Sequence, residues 1–551
     1  MLPVSLLLFP LLLGLALSIA MEALVRPRPD SLWLRPRATL MVHIGTWLVL
    51  FAVSLLILQR GWLSAGLLLC LQLVVVESAR TKWVSLKEPF LVQDFDYFLD
   101  AIRHPRLYVP FFGIGLAIAA SVSGALAFAA FLWFEPALSG SLGGGGLVAT
   151  VAILGLGGAG LLGHALPRLP QITLNPAQDL KRHGLFGFFW AYARYPRRQI
   201  DPSSTPECFR RPDSLPGADA LPHLVVVQSE SFFDPRPWQP ALHGSVLDGW
   251  DRLCAESAVQ GRLEVPAWGA NTVRSEAAFL TGLSGAALGM HQFNPYRQLA
   301  RQPVPNLVRS LKRSGYRTVA VHPYPASFYL RHKVMPRMGF DEFITLDAFD
   351  GGQPAEGRQG DRDGQYIADA ALARKVDELL QASPDQPLMV FVITMENHGP
   401  LHLERAGAAW RDKLPAPLAK PLGERGRDEL AVYLRHLANA DSMANALADS
   451  LIRQDRQGIL CFYGDHVPIM ARSYRALGEP DGRSDYLIWT TATSSAGPAE
   501  PLHDNDIPID HLAATLWDTL TAMAKASTRQ NNACARKAQR SKQQDELQEQ
   551  E

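Results

Sequence analysis

The chain has 551 residues, 48% of them hydrophobic, and its 53 basic side chains balance 53 acidic ones. That length allows more than one domain, and the absence of a global charge bias argues against nucleic acid as a partner. Five cysteines, Cys70, Cys208, Cys254, Cys461 and Cys534, form no CxxC pair and no regular spacing, which speaks against a zinc cluster and against a disulfide framework.

Long uncharged runs crowd the first third: Leu2 to Met21, Ala38 to Gln59, Gly61 to Val76, Leu107 to Phe134 and Pro136 to Pro167. A helix needs about 20 apolar residues to cross the hydrocarbon core of a bilayer, so the runs predict a transmembrane region over 1–166 with about five spans, of which Gly61 to Val76 is short. The first run lacks a basic n-region and a clear small-residue cleavage site, and more spans follow it, which favours an anchor over a signal peptide. Next, 167–198 mixes Arg and Lys with aromatics in a stretch too charged to cross, predicting an interfacial helix. The Pro-, Ser- and Asp-rich stretch from Ile200 to Pro222 reads as a linker, so that helix and linker fill 167–220.

A folded domain is expected over 221–524. Apolar β-rich runs at 223–230 (HLVVVQSE), 316–323 (YRTVAVHP), 387–399 (PLMVFVITMENHG) and 458–466 (GILCFYGDH) alternate with amphipathic segments at Val304–Ser314, Tyr366–Gln381 and Glu429–Gln454. Strands apolar on both faces and separated by helices predict an α/β domain with a largely parallel sheet covered on both sides. The final residues are polar and aperiodic, which predicts a disordered tail over 525–551.

In open α/β sheets ligands bind beyond the carboxyl ends of the strands. Glu230, His322, Glu396, His398, Asp465 and His466 all fall there. One strand ending in Asp-His is ordinarily a hydrogen-bonded turn, but several strands ending so make a constellation. Glu230, Asp465 and His466 offer carboxylate and imidazole donors that suit a divalent cation, Mg²⁺ or Mn²⁺ by the oxygens, with the imidazole tilting the choice toward Mn²⁺ or Zn²⁺. Three protein ligands leave a position at which a hydroxyl would become a nucleophile near neutral pH. The stretch PAWGANTVRSEAAFLTG, Pro266 to Gly282, offers Thr272 just before the helix-like run Arg274 to Thr281, where a helix N-terminus favours phosphate. On local sequence alone Thr272 reads as an N-cap, with Ser275 or Glu276 completing a capping box.

Together these residues resemble the lipoteichoic acid synthase and phosphoglycerol transferase branch of the alkaline phosphatase and sulfatase superfamily. The resemblance rests on the five-span anchor, TKWVSLKEPFLVQDFDYF, LVVVQSESF, the threonine loop, FYLRHKVMPRMGFDEF, TMENHGP and YGDHVP, in the family's order. It implies an N-terminal five-helix transmembrane region followed by an α/β alkaline-phosphatase-like (sulfatase-like) domain with a largely parallel central sheet covered by helices. It further implies that Glu230, Thr272, Asp465 and His466 hold one divalent metal, most readily Mn²⁺ with Mg²⁺ or Zn²⁺ possible. Thr272 is then the nucleophile, His398 binds substrate and serves in proton transfer, and Arg331 binds the phosphate, a role that a guanidinium fits because it can hold two oxygens at once. The competing reading of Arg331 is a surface ion pair with Asp341.

The implied reaction is transfer of glycerol phosphate from phosphatidylglycerol, through a phospho-threonine intermediate, to a cell-envelope glycan or polymer. The membrane is the expected partner and nucleic acid is not. The implied location is the bacterial inner (cytoplasmic) membrane, multi-pass, with the catalytic domain extracytoplasmic. Charge points the other way, since four Arg between Glu22 and Arg37, then Arg80, Lys82 and Lys87, favour the inside. A sulfatase would need a Cys or Ser in a C/S-x-P-x-R motif where this chain has NTVRSEAA, and phosphoethanolamine transferases carry Gly-Glu-Ser where this chain has QSESF. A phosphoethanolamine transferase or a phosphodiesterase of the same superfamily is the near alternative. A catalytically inactive lipid-binding scaffold is the distant one, disfavoured because a scaffold has no need of a nucleophile aimed at a metal.

Overall fold

The computed structural model describes residues 2–95, 114–211, 215–242, 244, 246–349, 361–492 and 505–548. The chain divides into two compact units, Met1–Arg197 and Arg198–Glu551.

The first unit is helical: α1 (Leu2–Met21), α2 (Arg37–Leu58), α3 (Gly61–Leu86), α4 (Ile114–Phe134), α5 (Leu138–Ala165) and α6 (Pro176–Arg194). Among the described residues four helices are long and apolar enough to cross a membrane, around Ser5–Leu24, Arg37–Leu58, Gly61–Leu86 and Leu138–Arg168. The expected count of five is corrected to four there. The Leu107 to Phe134 run begins outside the described residues, and its apolar stretch Val122–Phe134 is shorter than a span. Gly61 to Val76 proves long enough, because α3 continues past the uncharged run for 26 residues in all. Helices α2 and α5 approach closely through glycines: a Cβ on Gly158 would meet the Gly45 carbonyl at 2.8 Å, the small-residue contact by which apolar helices pack where lipid removes the hydrophobic drive. One polar group of the bundle links three helices. The Ser18 hydroxyl donates to Gln72 at 2.6 Å and lies 2.9 Å from the His43 ring, whose other nitrogen faces Glu22 at 3.1 Å. Helix α6 packs on this bundle, with Leu185 N–H donating to Glu22 and the Trp190 indole donating to Thr46.

The second unit is built on an eight-stranded sheet. Its strands are β1 (His223–Ser229), β2 (Val259–Glu264), β3 (Arg317–Val321), β4 (Glu342–Ile344), β5 (Leu388–Ile393), β6 (Gly458–Gly464), β7 (Ser484–Thr490) and β8 (Ile507–Pro508). Their spatial order is β8-β2-β7-β6-β1-β5-β3-β4. All pairs are parallel except those of β7, which runs against β6 and β2. The four strands expected from sequence are the inner ones, whose residues face a core on each side. Val225, Val227, Val390, Val392, Leu460 and Phe462 join one core, while Leu224, Val226, Met389, Phe391, Ile459 and Cys461 join the other. This alternation is why those runs are apolar without a break.

Principal helices here are α7 (Thr272–Thr281), α8 (Arg331–Met338), α9 (Asp369–Gln381), α10 (Ala416–Ile452) and α11 (Ile509–Gln548). Two segments differ from expectation. The Ile200 to Pro222 stretch packs on this unit, with Phe209 and Leu221 buried in its core and the Gln302 side chain bracketing the Ile200 backbone. The segment expected as a disordered tail is helical to Gln548, since its Ala, Gln, Lys, Arg and Glu are strong helix formers even without an apolar stripe.

At the end of β6 a Cβ on Gly464 would lie 1.8 Å from the Phe232 carbonyl oxygen, so backbone must move to admit one. Gly464→Ala is therefore expected to destabilise the chain by about 1–3 kcal/mol, the usual range for overpacking. A lowered thermal midpoint together with weakened divalent-ion binding is the expected readout.

Candidate active site

Parallel pairing of β1 with β6 sets Ser229 opposite Gly464, so the next residues, Glu230 and Asp465, leave the sheet side by side. Glu230, Asp465 and His466 are all buried, and one donor atom of each lies within 4.8 Å of the other two. The His466 Nε2 is 3.3 Å from Asp465 Oδ2 and 3.6 Å from Glu230 Oε1. Neither Asp465 Oδ2 nor His466 Nε2 has a hydrogen-bond partner. The remaining atoms are held: Asp465 Oδ1 accepts from Ser231 N–H at 2.9 Å, the Ser231 hydroxyl donates to Glu230 Oε1 at 3.0 Å, and Glu230 N–H donates to the Thr394 hydroxyl at 2.9 Å. Burial, and then the neighbouring Asp465 carboxylate, push the Glu230 carboxyl up to about 8. Two close carboxylates and an imidazole with unspent lone pairs make a donor set that a divalent cation fits.

Thr272 stands at the first position of α7, 7% exposed, with its hydroxyl 3.5 Å from Glu230 Oε2. The capping alternative does not hold. Asn271 occupies the N-cap without a side-chain bond, the Ser275 hydroxyl donates to the Asp465 carbonyl at 2.7 Å, and Glu276 is engaged elsewhere. Three of the segments that carry the site pass through left-handed backbone at non-glycine residues: Ser231 at φ 56° after Glu230, Asn271 at φ 67° before Thr272, and Tyr329 and Leu330 at φ 54° and 61° before Arg331. Each costs roughly 1–2 kcal/mol, a strain characteristic of functional positions.

Arg331 is 1% exposed and makes no pair with Asp341, which instead faces Lys312 and Thr318. Its Nε and Nη2 donate to the two Glu276 oxygens at 3.1 and 2.7 Å, and its Nη1 donates to His322 Nε2 at 3.0 Å. Burial and the arginine charge hold His322 well below the usual histidine range, as an acceptor there must be. Of the five guanidinium hydrogens three are thus spent, and one on each terminal nitrogen remains. Glu276 also accepts from the Tyr296 hydroxyl. Its spacing, four residues after Thr272 on one helix face, was the available signal for its part in the site. His398 follows β5, partly exposed, with Nδ1 2.7 Å from the Gly399 carbonyl and 3.4 Å from the Tyr366 hydroxyl. Burial lowers its pKa, and Asp465 and Arg331 are both within electrostatic reach of it. The six predicted site residues therefore lie at the carboxyl ends of β1, β5 and β6 and at the starts of α7 and α8, with His322, expected at a strand end, and Glu276, not expected as a site residue, both bound to Arg331.

A family model described as Sulfatase matches residues 222–522, more than half of the chain. The chain belongs to the sulfatase family. Capsular polysaccharide biosynthesis protein RkpI of Rhizobium meliloti (strain 1021) is 27% identical over 510 residues, 89% of this chain and 87% of that one. The integral membrane protein lipooligosaccharide phosphoethanolamine transferase A from Neisseria meningitidis shares the fold over 88% of each chain, at 15% identity and a TM-score of 0.51. Streptococcus pyogenes phosphoglycerol transferase GacH aligns over 58% of this chain and 82% of its own at 18% identity and a TM-score of 0.43.

Removing one partner of a buried ion pair costs about 3–5 kcal/mol, so Glu276→Ala is expected to lower stability by that amount in thermal or denaturant unfolding. A second expectation concerns pH. Because the folded state holds a proton on Glu230 more tightly than the unfolded one, that contribution is complete below the ordinary glutamate value of 4.5 and is lost as pH rises through about 8. In chelator, Glu230→Gln should flatten this fall and raise the midpoint at pH 8 by about 3 °C or more, while its divalent-ion binding is lost.

Proposed function

We propose that the protein is a metal-dependent phosphoglycerol transferase of the bacterial inner membrane, with its catalytic domain extracytoplasmic. It would move glycerol phosphate from phosphatidylglycerol to a cell-envelope glycan. The observation that carries this reading is the Thr272 hydroxyl at the start of α7, beside Glu230 and the partnerless donor atoms of Asp465 and His466. The QSESF stretch favours the phosphoglycerol branch, and the name of the Rhizobium relative favours a glycan acceptor.

A divalent ion held by Glu230, Asp465 and His466, with Thr272 as a fourth ligand, would lower the pKa of the hydroxyl and offset phosphate charge. Thr272 Oγ attacks the phosphorus of the lipid, a P–O bond forms, and the bond to diacylglycerol breaks. Thr272 gives up its proton and the diacylglycerol oxygen gains one. In the second displacement an acceptor hydroxyl attacks the same phosphorus, loses its proton and releases Thr272, which is reprotonated. His398 is suited to this second step. Its Nδ1–H is spent on the Gly399 carbonyl, and the lowered pKa keeps the ring neutral, leaving Nε2 as a base. The two free hydrogens of Arg331 would bind a non-bridging phosphate oxygen, and Glu276 fixes where they point.

The test is purified full-length protein with phosphatidylglycerol carrying a fluorescent acyl chain, with and without Mn²⁺. Labelled diacylglycerol should appear only with the ion, and Thr272→Ala should lower its release by roughly 10³-fold or more. Full turnover by Thr272→Ala would end the covalent mechanism. Cleavage of phosphatidylethanolamine in place of phosphatidylglycerol would replace the donor while keeping the nucleophile.

A further inference from the structure

A second polar cluster lies beside the loop that carries His398, and the mechanism above makes no use of it. One donor atom each of Asp363, Glu396 and His436 lies within 4.8 Å of the other two. Glu396 and His436 are buried. They come from separate parts of the domain: Asp363 from a two-residue hairpin with Tyr366, Glu396 from the segment after β5, His436 from the middle of α10. A fourth carboxylate, Asp369 at the start of α9, is 1% exposed, and its Oδ1 has no hydrogen-bond partner. Its backbone N–H donates to Glu396 Oε2 at 2.7 Å, and burial, then the Glu396 charge, push its carboxyl well above the usual carboxylate range.

The cluster carries more negative charge than its own cations offset. Asp363, Asp369, Glu396 and Glu404 face Arg435 and His436. With a charged imidazole two negative charges remain, and with a neutral one three remain. An isolated buried carboxylate is costly unless a cation or a proton meets it. The arrangement around His436 favours a cation. Its Nε2 donates to Glu404 Oε2 at 3.1 Å, an oxygen that Arg435 clamps at 2.6 Å, and its Nδ1 donates to Glu396 Oε1 at 2.8 Å, so a bound ion would take the place of the Nδ1 proton. An imidazole whose far nitrogen donates to an anchored carboxylate is the usual support for a metal-binding histidine. Asn439 bridges the remaining ligands, its amide nitrogen 2.9 Å from Asp363 Oδ2 and 2.5 Å from Glu396 Oε1. A cavity of about 820 Å³ lined by Asp363, Glu396 and Asn439, and also by Arg362, Arg374 and Arg453, the last two paired with Asp361 and Asp377, adjoins the cluster.

We propose that Asp363, Asp369, Glu396 and His436 Nδ1 form a second divalent-cation site, and the mix of one imidazole with carboxylates selects Zn²⁺ or Mn²⁺ over Ca²⁺. The site braces the surroundings of His398. Glu396 precedes His398 by two positions, and the hairpin that supplies Asp363 also supplies Tyr366, whose hydroxyl reaches the His398 ring.

The experiment counts ions. Full-length protein is stripped with EDTA, reloaded with Zn²⁺ or Mn²⁺, freed of excess and analysed by inductively coupled plasma mass spectrometry. Wild type should hold two ions per chain, and His466→Ala, His436→Ala and the near-isosteric Asp369→Asn should each hold one. Circular dichroism identifies a variant that has not folded, and Asp369→Asn decides the matter if His436→Ala fails. One ion in wild type that disappears in His466→Ala would overturn the proposal. So would an Asp369→Asn protein with unchanged ion count and a raised melting midpoint, because a proton would then be what neutralises the cluster.

Discussion

Pairing register between β1 and β6 is the constraint on which the site depends. It brings Glu230 beside Asp465, and with His466 it concentrates charge and lone pairs where water is excluded. Hydrophobic burial on both faces of the sheet holds that register, because a slip of one residue would exchange the two cores: Val225 and Val227 would trade places with Leu224 and Val226. Apolar strands of this kind thus hold in place an arrangement of charges that is unfavourable taken alone. The same packing holds Ser231, Asn271 and Leu330 in left-handed backbone.

Arg331 shows how context changes what a residue type can do. An exposed arginine offers a full fork to a phosphate, whereas this one has given that fork to Glu276 and a further hydrogen to His322. What remains is narrower and better aimed. The pair also ties α7, which carries the proposed nucleophile, to α8 and to the end of β3. Geometry among these three elements is therefore set by a buried ion pair rather than by loops.

Much of this was legible in the sequence, for reasons that can be named. The inner strands are uninterrupted apolar runs ending in acids and histidines, so both the parallel sheet and its catalytic edge could be read from them. Strands β2, β4, β7 and β8 were not anticipated: β4 and β8 are only three and two residues long and β2 (VQGRLE) has a weak pattern, whereas β7 (SDYLIWT) is as apolar as the inner strands. Glu276 was visible but ambiguous, because its place after Thr272 suits a capping box as well as an ion pair, and only the position of Arg331 resolves the choice. The cluster at Asp363, Glu396 and His436 had no local motif: its members are brought together by a hairpin, a strand end and a long helix. The number of spans was harder still, since the uncharged run from Leu107 to Phe134 reads as a span, whereas its apolar stretch among the described residues, Val122–Phe134, is shorter than one.

The spacing of the site along the chain has a consequence for biosynthesis. Strand β1 lies near the start of the second unit, yet its partner β6 follows more than two hundred residues later, with Gln228 paired to Tyr463. During translation β1 must wait, apolar on both faces, while β3 and β5 are made, and its second edge stays open until Gly464 has left the ribosome. A ribosome that stops before β6 leaves behind a chain whose central strand has one open edge, a template for association with other chains. Such a fragment also lacks Asp465 and His466. Late completion therefore means that a chain stopped before β6 is at once association-prone and without the site.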